Sequence, residues 1–215
     1  MKEPMQDDSL FSNWLSSGWL RSARPCPSPN HGQRPPGMPV DLLVIHNISL
    51  PPGDFGGPWI EQLFLNQLDP GQDPFFATIA GLRVSAHLLI RRDGELVQFV
   101  DLRARAWHAG ESVFAGRADC NDFSIGIELE GTDETLFTDA QYQRLVGVTK
   151  EILRDFPDIK PGRIVGHEHI APGRKTDPGS CFDWARYLGE VFGRLPAGDS
   201  MRLPVYLSST TGDWD

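Results

Sequence analysis

Cysteine is scarce: Cys26, Cys120 and Cys181 are the only three in 215 residues, and no two form a CxxC pair. That excludes a thiolate zinc cage and makes a disulfide framework an unsuitable description of a chain this long. Three reduced thiols in a reducing compartment are expected. Basic residues are in the minority, 20 Lys and Arg against 29 Asp and Glu, for a net charge of −9. Such a surface repels nucleic acid and anionic membrane at long range, so neither is expected as a partner. No run reaches the roughly 18 apolar residues of a membrane span. The opening MKEPMQDDSL carries acids where a secretion signal carries a basic segment, so the expected location is cytoplasmic. The HExxH zinc helix is missing, and HEH at 167–169 does not replace it, because its histidines are two apart rather than four. No internal repeat is visible.

Glycine and proline are plentiful, 22 and 18, which points to many loops in a chain long enough for one full core. Residues 1–17 read as a flexible extension, 18–195 as the folded domain and 196–215 as a polar, partly disordered tail. The proline-rich stretch 25–39 reads as an extended arm. Apolar runs predict strands over 41–48, 84–91, 95–100, 123–131 and 163–165, with Asp93-Gly94 turning a hairpin. Helices are predicted from Pro58, from Pro74 through Ile79, over 139–156 behind a Thr138/Gln141 capping box, and over 184–192 behind Asp183. The mixture predicts an α/β fold: one mixed sheet covered by helices.

Of the six histidines, two fall where sites are usually mounted: His46 near the end of a strand, and His167 after a strand and a glycine. Asp177 lies in the tight RKTDPG loop. Two imidazoles and a carboxylate are a catalytic zinc set that leaves a position for water, although spacing alone leaves their union open. Strand alternation puts Ile125, Ile127 and Leu129 on one face and Gly126, Glu128 and Glu130 on the other. Glu128 is expected to act as proton acceptor, with Gly126 leaving open space beside it. Glu130 is expected to be a solvated edge carboxylate. Lys175 could stabilise an oxyanion. His87 is expected to be a hydrogen-bonded core residue, His31 to be solvated, and His169 not to be a ligand.

Five segments, VIHNISLPPGDFGGPWI, LRVSAHLLIRRDGELVQFV, RAWHAGESVF, CNDFSIGIELEGTD and GHEHIAPGRKTDPG, resemble the AmpD family of 1,6-anhydro-N-acetylmuramyl-L-alanine amidases. That family is related to phage lysozyme-type amidases and peptidoglycan recognition proteins. The likeness runs from about Gly18 to about Leu188, and it implies a fold of peptidoglycan-recognition type for the 18–195 domain. It implies one zinc ion on His46, His167 and Asp177, catalytic roles for Glu128 and Lys175, and a substrate groove using Asn47, Arg83, Trp107 and His108. The implied reaction is hydrolysis of the amide joining the lactyl group of anhydromuramic acid to L-alanine. It would serve cytoplasmic peptidoglycan recycling and restrain β-lactamase induction. The implied partner is a small anionic muropeptide, with no obligate protein partner. Two alternatives stand beside it: a broader amidase of intact peptidoglycan, and a non-catalytic muropeptide-binding protein, which would be expected to lack part of the zinc set.

Overall fold

The computed structural model describes residues 18–193; the proposed extension at 1–17 and the tail at 196–215 lie outside the described residues. In chain order the strands are β1 (Arg24–Pro25), β2 (His31–Gly32), β3 (Leu42–Ile48), β4 (Leu88–Ile90), β5 (Leu96–Gln98), β6 (Arg105–Ala106), β7 (Val113–Phe114), β8 (Arg117–Ala118), β9 (Ser124–Glu130) and β10 (Ile164–Gly166). The helices are α1 (Trp59–Phe64), α2 (Pro74–Ile79), α3 (Asp139–Asp155), α4 (His167–Ile170) and α5 (Trp184–Phe192).

One mixed sheet dominates, in the order β1-β5-β4-β9-β3-β10. Strands β4, β9, β3 and β10 run parallel, and β5 returns antiparallel to β4 through the Asp93-Gly94 hairpin. Gly94 takes a positive φ there, as a tight turn requires. Parallel central strands are buried on both faces, and every residue of β9 is buried. Leu43, Ile45, Ile125, Ile127 and Leu129 face α3 and α5, packing on Tyr142, Leu145, Ile152 and Tyr187. A second apolar cluster joins α1 and α2 to Leu89, Val97 and Phe99. Helices therefore cover both faces, as the α/β reading expected.

The capping signals are realised. Thr138 Oγ1 accepts from Gln141 N while Gln141 Oε1 accepts from Thr138 N, and Asp183 caps α5 through Arg186 N. The arm at 25–39 is tied down rather than loose. Its start adds β1 and its middle adds β2 to neighbouring strands, and the largely buried Arg34 guanidinium donates to the carbonyls of Leu102, Arg103, Asn121 and Ser124. The strand expected over 84–91 is regular only at Leu88–Ile90. Before it the backbone leaves the ladder, with Ser85 N bonding to Trp107 O and His87 N to Gly126 O.

Glu130 corrects the expectation of a solvated carboxylate. It is 1% exposed and accepts from Arg91, Arg92 N and Gly56 N, so it pins the 49–58 loop to the sheet. Alternation gave the correct face, but the loop that covers that face is not visible from β9 alone.

Candidate metal centre

The parallel register of β3 and β9 sets His46 directly beside Glu128. Strand β10 pairs Gly166 with Ile45, so the chain delivers His167, the first residue of α4, to the same end of the sheet. The loop after α4 then folds back, with Glu168 N donating to Asp177 O, and brings the Asp177 carboxylate over both rings. Nδ1 of His46 lies 3.0 Å from Nδ1 of His167 and 3.0 Å from Asp177 Oδ2, and His167 Nδ1 lies 3.1 Å from the same oxygen. These three residues form a cluster able to hold a metal ion. Both histidines are buried, 1% and 3% exposed. Burial, reinforced by the neighbouring imidazole, pushes the His46 pKa down to about 4, so its ring is neutral and available as a donor.

Glu128 is buried, and its Oε2 has no hydrogen-bond partner among the described residues. Burial first, and the negative Asp177 second, raise its pKa well above the ordinary carboxylate value, while Lys175 acts in the opposite sense. A carboxyl group with heightened proton affinity and a free oxygen, next to a polar cluster, is equipped for proton transfer. Lys175 is exposed in the loop after α4; its charge acts on both Glu128 and His46.

The space beside Glu128 is not open. A Cβ on Gly126 would stand 2.5 Å from the His108 ring, so the glycine accommodates that imidazole instead of leaving a void. His108 bonds to His46 Nε2 at 2.9 Å and to Ser124 Oγ at 3.1 Å. Asn47 is likewise engaged within the protein, donating to Asp133 Oδ1 and Pro178 O. Trp107 is half-buried and Arg83 is exposed. His87 lies wholly in the interior, accepting from Gly126 N. His31 is exposed. His169 turns its Nδ1 to Gly166 N and is not part of the cluster.

Gly179 closes the Asp177 loop, as the Pro178-Gly179 pair ending RKTDPG leads one to expect. Its φ is +84°, and a Cβ there would meet the Asp133 backbone at 2.3 Å, while Asn47 bridges Asp133 to Pro178. Gly179→Ala is therefore expected to lower folding stability by about 1–3 kcal/mol, read as a lower denaturant midpoint; an unchanged midpoint would contradict this packing.

The family model for N-acetylmuramoyl-L-alanine amidase (Amidase_2) matches residues 36–180. The chain is 61% identical over 173 residues to the Escherichia coli K12 protein "1,6-anhydro-N-acetylmuramyl-L-alanine amidase AmpD", covering 80% of this chain and 94% of that one. A crystal structure of a selenomethionine AmpD derivative superposes with a TM-score of 0.79 at 59% identity, covering 81% of this chain and 97% of the other. The structure of E. coli AmiD complexed with anhydro-N-acetylmuramic acid-L-Ala-D-γ-Glu-L-Lys aligns with a TM-score of 0.52 at 31% identity, over 74% of this chain and 60% of that one.

Proposed function

Because this chain belongs to the N-acetylmuramoyl-L-alanine amidase family, we propose that it hydrolyses the amide between the lactyl group of 1,6-anhydro-N-acetylmuramic acid and L-alanine. The observation that carries the chemistry is the pairing of the His46–His167–Asp177 cluster with the unpartnered, buried Glu128 on the adjoining strand. The metal is one zinc ion. Its fit rests on the donor set: two imidazole nitrogens and a carboxylate oxygen converge within 3.0–3.1 Å of one another, the nitrogen and oxygen ligands that a catalytic zinc ion takes. Zinc bound there supplies Lewis acidity, lowering the pKa of water and polarising a carbonyl.

The chain's own groups do the rest. Glu128 takes the proton of the attacking water on its free oxygen and delivers it to the departing alanine nitrogen. Lys175 brings positive charge to the developing oxyanion, a contribution typically of about 3–4 kcal/mol. Arg83 and Trp107 are assigned to the substrate: the exposed guanidinium suits a peptide carboxylate, and the indole suits a sugar face. Asn47 and His108 brace the site. The location is cytoplasmic and the role is peptidoglycan recycling, with restraint of β-lactamase induction as its consequence. Three cysteines without a CxxC pair are compatible with a reducing compartment. Among the described residues no helix is long and apolar enough to cross a membrane.

The experiment compares peptide release from purified anhydromuropeptides and from intact sacculi. Faster release from the soluble fragment is expected; strong preference for sacculi would favour the broader amidase, and zinc-dependent binding without release would favour a binding protein.

A further inference from the structure

A neutral imidazole carries one proton, so each ring is fixed by whichever nitrogen must donate. The carbonyl of Cys120 only accepts, and Ser124 Oγ lies 2.6 Å from it, so the hydroxyl proton points there. The same oxygen is 3.1 Å from His108 Nε2. With its own proton committed, Ser124 accepts, and His108 carries its proton on Nε2. His108 Nδ1 then offers a lone pair 2.9 Å from His46 Nε2. His46 must donate from Nε2, so Nδ1 is the nitrogen it turns to the acceptor-only Asp177 Oδ2 at 3.0 Å, where a cation takes the place of a proton.

The second ring reaches the same state by a shorter route. His167 Nε2 lies 2.9 Å from the carbonyl of Ala109, which only accepts, so His167 donates from Nε2 and likewise turns Nδ1 to Asp177 Oδ2. Adjacent residues, His108 and Ala109, therefore supply the acceptors for both imidazoles. One side chain holds this dipeptide in place: Asn121 Oδ1 accepts the backbone N–H of His108 at 3.0 Å and that of Ala109 at 2.8 Å. Gly126 completes the seat, since any Cβ there would strike the His108 ring. Both ring nitrogens of His108 are thus committed within the protein, and neither remains for a substrate.

We infer that His108, seated by Asn121 and Gly126, is a positioning residue that fixes the tautomer and orientation of His46 and so presents its Nδ1 to the metal. The inference rests on the reading of His46, His167 and Asp177 as ligands. Partners of this kind typically govern metal affinity by about 10–100-fold.

Two measurements test it. In the metal-free, full-length wild-type chain, long-range 1H–15N spectra at neutral pH are expected to show His46, His108 and His167 protonated at Nε2, with His108 Nδ1 bare; an unprotonated Nε2 on His46 or a proton on Nδ1 of His108 overturns the inference. Zinc affinity is then measured by chelator competition. His108→Phe keeps a ring beside Gly126 without an acceptor, and about 10–100-fold weaker binding is expected. His108→Asn restores an acceptor oxygen near the former Nδ1, and recovery of most of that loss is expected. Wild-type affinity in His108→Phe overturns the inference, and so does a loss equal in both variants. If the wild-type chain took up no zinc, the metal reading itself would fall, while the spectra would still decide the hydrogen-bond chain.

Discussion

Glu128→Gln is expected to lower turnover of an anhydromuropeptide by about 10²–10⁴-fold, with zinc content unchanged. The amide keeps the shape of the carboxylate and fills the same buried position, but it neither accepts the proton of water nor returns one to the leaving amine. Because that loss occurs in the transition state, kcat and kcat/KM are expected to fall together. Two features make the effect large. Glu128 Oε2 has no other partner among the described residues, so its proton affinity is not already satisfied. Burial and Asp177 raise its pKa well above the carboxylate norm, which matches the group better to proton transfer near neutrality. A variant with wild-type kcat would remove Glu128 from the chemistry. A variant that had lost its zinc would show that the effect lies in the metal centre instead.

Asp177→Ala gives the other large effect. Removing the carboxylate leaves the two imidazole nitrogens 3.0 Å apart without the anion that completes the donor set. Zinc uptake is expected to fall below stoichiometric levels, and activity by at least about 10³-fold, since Lewis-acid assistance is worth several kcal/mol. A ligand-linked stabilisation of about 2.7 kcal/mol at a hundredfold excess over Kd should also vanish: zinc raises the melting temperature of the wild type and leaves that of the variant unmoved. Retained activity with retained zinc in Asp177→Ala would remove this residue from the ligand set.

Much of the fold was legible because it depends on local pattern. The α3 capping box, the Asp183 cap and the Asp93-Gly94 turn are short-range chemistry, and each appears where its residues predict it. Strand alternation put Glu128 on the correct face of β9. What that face meets was not legible, because burial of Glu130 depends on the 49–58 loop and the space at Gly126 is filled from residue 108. The same reason separates the histidines from their neighbours. Spacing nominates His46, His167 and Asp177 from their strand ends and loop, and the five resembling segments strengthen that set. Nothing local, however, ties Asn121 to His108 or Gly179 to Asp133. These contacts exist only after β3, β9 and β10 have brought distant loops to one end of the sheet.

Everything proposed for this chain turns on zinc-dependent cleavage of one amide. Its most direct test is mass-spectrometric product analysis of purified 1,6-anhydromuramyl-tripeptide incubated with the full-length protein, with and without a chelator. Free tripeptide and anhydromuramic sugar are expected as the products, with no release after chelation and recovery when zinc is returned. Cleavage at another bond, or release that persists undiminished in the chelator, would contradict it.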